Sequence, residues 1–288
     1  MNWQLALASS IFTYSIVSIL QRVLLKDEDS DPIAYFIVIQ LLTGIIIGIY
    51  AILKGFHLPD LTKTLPNIIL MTFLYGAGSI ALYSSLKKVE VSEFTILFST
   101  RAIWAFFAAI FFLKETFSLN HAAGTVLILL STILVSWRGK RVKFSSGQTL
   151  AFFAAIAYGF AFVNDAFVLR SADLPSYLCL TFILPGLAVW AVNPQSTSKM
   201  TLLLKKATFE KLGTPTLVYI ASIMMAISYI MLFLSYQIGR NATQIAPLQQ
   251  SVTVVTVLLG IILLKERADL WKKIAGAILS FIGILFLI

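Results

Sequence analysis

A chain of 288 residues with 59% hydrophobic and only 12% charged side chains, and a mean hydropathy of +0.90, is far too apolar for a soluble domain, whose charged fraction is usually about 25%. An integral membrane protein is therefore expected, and its apolar runs have helical length without the short alternation of outer-membrane strands, which excludes a β-barrel. The net charge of +9 would point to nucleic acid in a soluble protein, but here the cations cluster in short connections between apolar runs, where they act as a topology signal and meet anionic lipid. No nucleic-acid partner is expected.

The single cysteine, Cys179, lies inside an apolar run, so neither a disulfide framework nor a cysteine metal cluster can form within the chain. His57 and His121 lie beside segment ends, and neither has a second His or Cys at ligand spacing. No metal or cofactor is expected. Residues Met1 to Gln4 lack a basic n-region and no small-residue cleavage site follows, so the first span is read as retained.

Apolar segments bounded by charge, Pro or Gly give ten spans, at 3–25, 33–53, 66–87, 92–113, 119–137, 148–169, 175–192, 215–238, 241–264 and 269–288. The first connection, Lys26 to Pro32, is acidic, and Pro32 suits the first turn of the second helix. In that helix Gly44 and Gly48 match the small-xxx-small pattern of close helix packing. The fourth span carries one charge near its middle, Arg101, which at a cost of at least ~2.5 kcal/mol must face protein, water or a ligand. The connection after the fifth span holds Arg138, Lys140, Arg141 and Lys143 and reads as a linker. The longest loop, Asn193 to Thr214, is basic, and its Thr201–Leu212 part is expected to form an amphipathic surface helix.

A shift of 151 positions lays Glu90 to Glu115 over Asn241 to Glu266, so that Lys114 and Glu115 fall on Lys265 and Glu266. The repeat continues from Asn120 to Gly124 and from Lys272 to Gly276, each opening the last apolar run of its unit. The chain thus reads as a first repeat over 1–137, a basic linker over 138–147 and a second repeat over 148–288. Five spans per unit is an odd number, so the second unit is inverted relative to the first, the usual construction of alternating-access transporters.

This pattern, a long apolar helix ending in Leu113, Lys114 and Glu115 or Leu264, Lys265 and Glu266 before a Gly-started apolar helix, resembles the EamA domain of the drug/metabolite transporter superfamily. A proline in the helix before the Glu is matched by Pro247; the first unit departs, with Ile96 there. The resemblance implies an all-α, ten-helix secondary transporter of small organic metabolites, its central cavity lined mainly by the first, third and fourth helices of each unit.

Helical spacing marks polar stripes in those helices. Tyr14, Ser18 and Gln21 share one face of the first span, and Tyr75, Ser79 and Tyr83 one face of the third. Phe98, Arg101, Trp104 and Ala108 form the Arg face of the fourth; Tyr158 and Asp165 lie about 20° apart on the sixth. Tyr229 and Tyr236 repeat that spacing in the eighth, and Gln249, Thr253 and Thr256 line one face of the ninth. Each such side chain could merely bond a neighbouring helix, for about 0.6 kcal/mol, but the second, fifth, seventh and tenth spans are nearly devoid of them in their centres. Those four are expected to scaffold the bundle or face lipid. The substrate site is expected to comprise Tyr14, Tyr75, Ser79, Tyr83, Arg101, Trp104, Tyr158, Asp165, Tyr229, Gln249 and Thr253. Arg101 and Asp165 either form a structural salt bridge or divide the work, Arg101 holding a carboxylate or phosphate and Asp165 an amine or a proton.

The expected function is a secondary transporter, an exporter or exchanger of an amino acid or similar zwitterion, coupled to protons or a counter-substrate, in the cell (inner) membrane and as a monomer or weak homodimer. A channel and a membrane enzyme are the alternatives. A membrane enzyme would need an Asp-rich metal motif or a Ser/His pair, and the sequence shows neither, so catalysis is not expected. Orientation is divided: loops after odd-numbered spans hold fifteen cations and those after even-numbered spans five, which puts both termini outside the cytoplasm. The resemblance implies cytoplasmic termini.

Overall fold

The computed structural model describes residues 2–24, 31–86, 88, 94, 97–116, 118–137, 145–205, 214–263 and 270–287, and among these no strand occurs. In the first half the helices are α1 (Trp3–Leu24), α2 (Pro32–Lys54), α3 (Leu61–Leu86), α4 (Arg101–Ala108, continued by a π turn at Ala109–Leu113) and α5 (Leu119–Ser136). The second half holds α6 (Ser146–Val168), α7 (Leu174–Val192), the short surface helix α8 (Thr197–Lys205), α9 (Thr214–Gly239), α10 (Ala242–Gln249), α11 (Ser251–Leu263) and α12 (Leu270–Leu287). Seven of the described helices are long and apolar enough to cross a membrane, and Leu97–Leu113 and Leu119–Leu134 are shorter apolar segments.

Local chemistry sets the ends. Asp31 accepts from the Ile33 N–H (2.9 Å) and the Ala34 N–H (3.2 Å) to start α2, and Gly55, at φ +88°, stops it in a conformation only glycine adopts cheaply. Asp173 caps α7 through the Ser176 N–H, and Ser145 and Gln148 form a capping box on α6. Asp31 also receives Lys199 Nζ at 3.0 Å, pinning α8 against the start of α2. That helix begins four residues before the expected amphipathic stretch; residues 206–212 of the stretch lie outside the described residues.

Two of the expected spans are not uniform. The ninth tightens to a three-residue turn at Gln250, whose N–H reaches Pro247 O at 3.0 Å, dividing α10 from α11. Pro247 has no N–H to give the preceding turn, so the regular ladder cannot pass it. The fourth tightens at Thr100, the counterpart of Ser251, where the Thr100 hydroxyl bonds back to Leu97 O at 2.6 Å.

The main packing runs between the halves, and it is symmetric under their exchange: α1 packs on α9 and α3 on α6, α2 on α7, α5 on α12, α4 on α6 and α1 on α11. Gly44 is where α2 meets α7, since a Cβ there would fall 2.5 Å from Ile183 Cγ1. That close approach is a packing role.

Candidate functional site

Two adjoining cavities occupy the centre of the bundle and share Tyr14, Tyr75, Arg101, Tyr158 and Tyr229. The smaller, about 60 Å³, reaches Ala246, Gln249 and Gln250 at the tightened turn. The larger, about 180 Å³, extends toward Gln21, Phe36, Gln40 and Tyr83. The space therefore widens toward the end of the bundle where α1 finishes and α2 begins, and tapers toward the opposite end.

Arg101 is the one charged side chain among the described residues lining either cavity. Its guanidinium lies 4.6 Å from the Phe98 ring centroid, a cation–π contact that offsets part of its desolvation. Much of the remaining wall is aromatic. Tyr14 meets Tyr229 edge to face at 6.0 Å, Tyr75 meets Tyr158 at 5.3 Å, and Tyr229 meets Phe182 at 4.9 Å, so the rings hold one another in place. Ser79 stands behind the wall, fully buried, with its hydroxyl 2.8 Å from the Tyr158 hydroxyl.

Of the residues expected from sequence, Tyr14, Tyr75, Tyr83, Arg101, Tyr158, Tyr229 and Gln249 line this space. Ser79, Trp104, Asp165 and Thr253 do not. Trp104 turns away to an edge contact with Phe152 at 5.7 Å. Asp165 is fully buried and accepts from the Tyr75 hydroxyl and the Tyr177 hydroxyl, both at 2.7 Å. Arg101 and Asp165 form no ion pair with each other, so the salt-bridge alternative does not hold. Two neutral phenols satisfy the carboxyl instead.

The expectation that the second and seventh spans only scaffold is corrected. Phe36, Ile39 and Gln40 from α2, and Thr181 and Phe182 from α7, form part of the larger cavity's wall. Gln40 and Thr181 are among the few polar residues in two very apolar helices, the one signal that could have found them. Gln250 was missed because it falls off the Gln249 stripe on a regular helix; the tightened turn brings both amides to the cavity. The Gln249 Oε1 is buried there without a hydrogen-bond partner.

Similarity to known proteins agrees with this architecture. Among solved structures 29 chains match, including a crystal structure with 14% sequence identity and a TM-score of 0.77, covering 99% of this chain and 95% of that one. At that identity the likeness shows the fold alone. No curated protein matches. The profile of the EamA-like transporter family matches residues 1–137 and again 145–288, so nearly the whole sequence is accounted for by two copies of one repeat, and the chain belongs to the EamA-like transporter family, a multi-pass membrane protein of the drug/metabolite transporter superfamily.

Proposed function

We propose that the protein is a secondary transporter of a small organic anion, moved by alternating access of the central cavity to the two faces of the membrane. The observation that carries this reading is the lone Arg101 in a wall otherwise made of rings, amides and apolar groups. A guanidinium with its forked donors suits a carboxylate or phosphate, and the tyrosine faces suit a flat apolar body. An amino acid fits if its ammonium meets ring faces and the Gln249 amide oxygen, since Asp165 is turned to its tyrosines.

Ten membrane helices in two inverted five-helix units are part of the same reading, with units over 1–137 and 148–288 and the basic linker over 138–147. The exchange-symmetric packing of the halves supports it. The site comprises Arg101 with Tyr14, Tyr75, Tyr83, Tyr158, Tyr229 and Gln249 in contact with substrate. Ser79, Trp104, Asp165 and Thr253 act from behind, with Asp165 the group that takes part in proton or counter-substrate coupling. The protein works in the inner membrane, as an exporter or exchanger, monomeric or weakly dimeric.

Counterflow in proteoliposomes tests the function. Labelled phenylacetate and labelled phenylalanine share a carboxylate and a ring but differ in the ammonium. Counterflow of phenylacetate, with or without phenylalanine, supports an organic-anion carrier; counterflow of phenylalanine alone restores the zwitterion reading; counterflow of neither, in protein shown to be folded, overturns an anion site at Arg101.

A further inference from the structure

Lys114 and Glu115, the copy of the repeated Lys-Glu pair that falls among the described residues, line neither cavity, yet Glu115 is half-buried and engaged. The π turn at Ala109–Leu113 ends at Lys114 in the left-handed conformation, φ +57°, and this reversal swings Glu115 back across the bundle. Its Oε2 accepts from the Thr243 N–H at 2.9 Å, and the Ala242 N–H faces the same carboxyl. Glu115, from the first half, thereby satisfies the N-terminus of α10 in the second.

Around this contact the other helix ends of the same face are drawn together. The Arg170 guanidinium donates to Leu113 O at 2.9 Å, and the Gln237 amide to Leu169 O at 3.3 Å. The Gln244 amide nitrogen lies 2.7 Å from His121 Nε2 and donates to Leu287 O at 2.7 Å. This polar cluster stands one helical turn beyond the narrow end of the cavity: Phe233 and Ala246 line the cavity, and Tyr236 and Thr243, three residues on and three back, are fully buried in the cluster. Thr243, directly under the carboxyl, is 0% exposed.

We infer that Glu115 is the latch of the gate that closes the narrow end of the transport cavity, holding the start of α10 to the end of the fourth helix and letting go when the cavity opens to that face. The inference rests on the transporter reading for its purpose, but not for its test. A backbone N–H pair held by a side chain on a turn is a reversible tie, because water can replace either partner once the helix ends part. Helix-interior bonds offer no such release. The latch also bridges the two halves, which is where rigid-body rocking has to break contacts.

The test is cysteine accessibility in detergent, without any substrate. Thr243→Cys, close in volume to the native residue, is placed in a Cys179→Ser background, and the rate of labelling by an impermeant maleimide is measured. With Glu115 intact the thiol is shielded and labels slowly. Glu115→Ala is expected to raise the rate about tenfold or more, the change that follows from leaving the Ala242 and Thr243 N–H groups without their acceptor in a local opening equilibrium; Glu115→Gln, which keeps a neutral acceptor oxygen, is expected to stay close to the parent. A cysteine introduced at exposed Ser145 serves as the folding control and labels equally in all three backgrounds. If the thiol introduced by Thr243→Cys labels as slowly in Glu115→Ala as in its parent, or already labels fast in the parent, the latch is overturned. Neither result bears on counterflow, so the latch and the transporter reading fail separately.

Discussion

Gly159 lies directly under the Arg101 carbonyl: a Cβ at position 159 would come within 2.7 Å of Arg101 O and of Trp104 Cβ. The close approach of α6 to α4 at this point seats the guanidinium at the cavity. Gly159→Ala must push α4 outward, an overpacking worth about 1–3 kcal/mol, and displace Arg101 with it. Counterflow should fall steeply in protein that remains monodisperse; unchanged counterflow would show that the seating of α4 does not matter.

Arg101 itself should be more sensitive than any ring. If it holds an anionic group through charge-assisted bonds of about 1.5–3 kcal/mol, Arg101→Ala should weaken substrate affinity by roughly 10- to 100-fold. Arg101→Lys should restore only part, because an ammonium lacks the two-pronged geometry. Measured by competition for counterflow, wild-type affinity in the Ala variant would end the assignment.

Asp165 should separate stability from coupling. Asp165→Ala strips the acceptor from two buried phenols, Tyr75 and Tyr177, and should destabilise the fold by about 1–3 kcal/mol for each hydroxyl left unpaired. Asp165→Asn keeps an acceptor oxygen and the shape, so thermal stability should change little and exchange should persist while accumulation driven by a pH gradient is lost. An Asn variant that still accumulates substrate on a pH gradient removes Asp165 from coupling.

The latch should respond to pH. Burial raises the Glu115 carboxyl above the ordinary glutamate range, outweighing the opposing pull of the Ala242 and Thr243 N–H groups and of Arg170. The closed arrangement therefore binds protons more tightly than an open, solvated one. Closure is favoured fully below the ordinary glutamate value, and the advantage is lost as pH rises through the raised one. Arg170 is the cation facing the carboxyl, with Tyr236 and Arg240 next to it on α9 and its turn, and His121 on α5 across Gln244. The labelling rate of the Thr243→Cys thiol, taken relative to that of the Ser145→Cys control, should climb with pH in the parent and stay flat in Glu115→Gln; a flat ratio in the parent would mean Glu115 keeps one charge state throughout.

Much of the architecture was written in the chain because the repeat is explicit: a shift of 151 positions carries Lys114-Glu115 onto Lys265-Glu266, and the polar stripes fall in the helices that do meet at the centre. Depth was harder to read than direction. Tyr158 and Asp165 share a helix face, but seven residues at about 1.5 Å each separate them by roughly 10 Å along the axis, which is why one lines the cavity and the other sits among tyrosines toward the end of α6. A helical wheel collapses that distance to nothing. The π turn behind Glu115 left no mark either, since Ala109 to Leu113 is an ordinary apolar run whose extra residue per turn is decided by what it must reach.

Orientation can be settled at Ser145, exposed at the start of the second half. In intact cells, a cysteine there in a Cys179→Ser background should label with an impermeant maleimide if the termini are cytoplasmic, as the family implies, and only after lysis if the charge count governs. The latch face and the wide mouth of the cavity are assigned by the same measurement.

The exchange-symmetric packing has a consequence for how the protein is made. With α1 built to meet α9, α2 to meet α7, α3 to meet α6 and α5 to meet α12, the first five helices leave the ribosome with their chosen neighbours still unsynthesised. The first half must wait in the bilayer as a loose array, a buried hydroxyl such as that of Ser10 without its mate until Ser228 arrives. Assembly is then a single late event in which two unfinished halves complete each other.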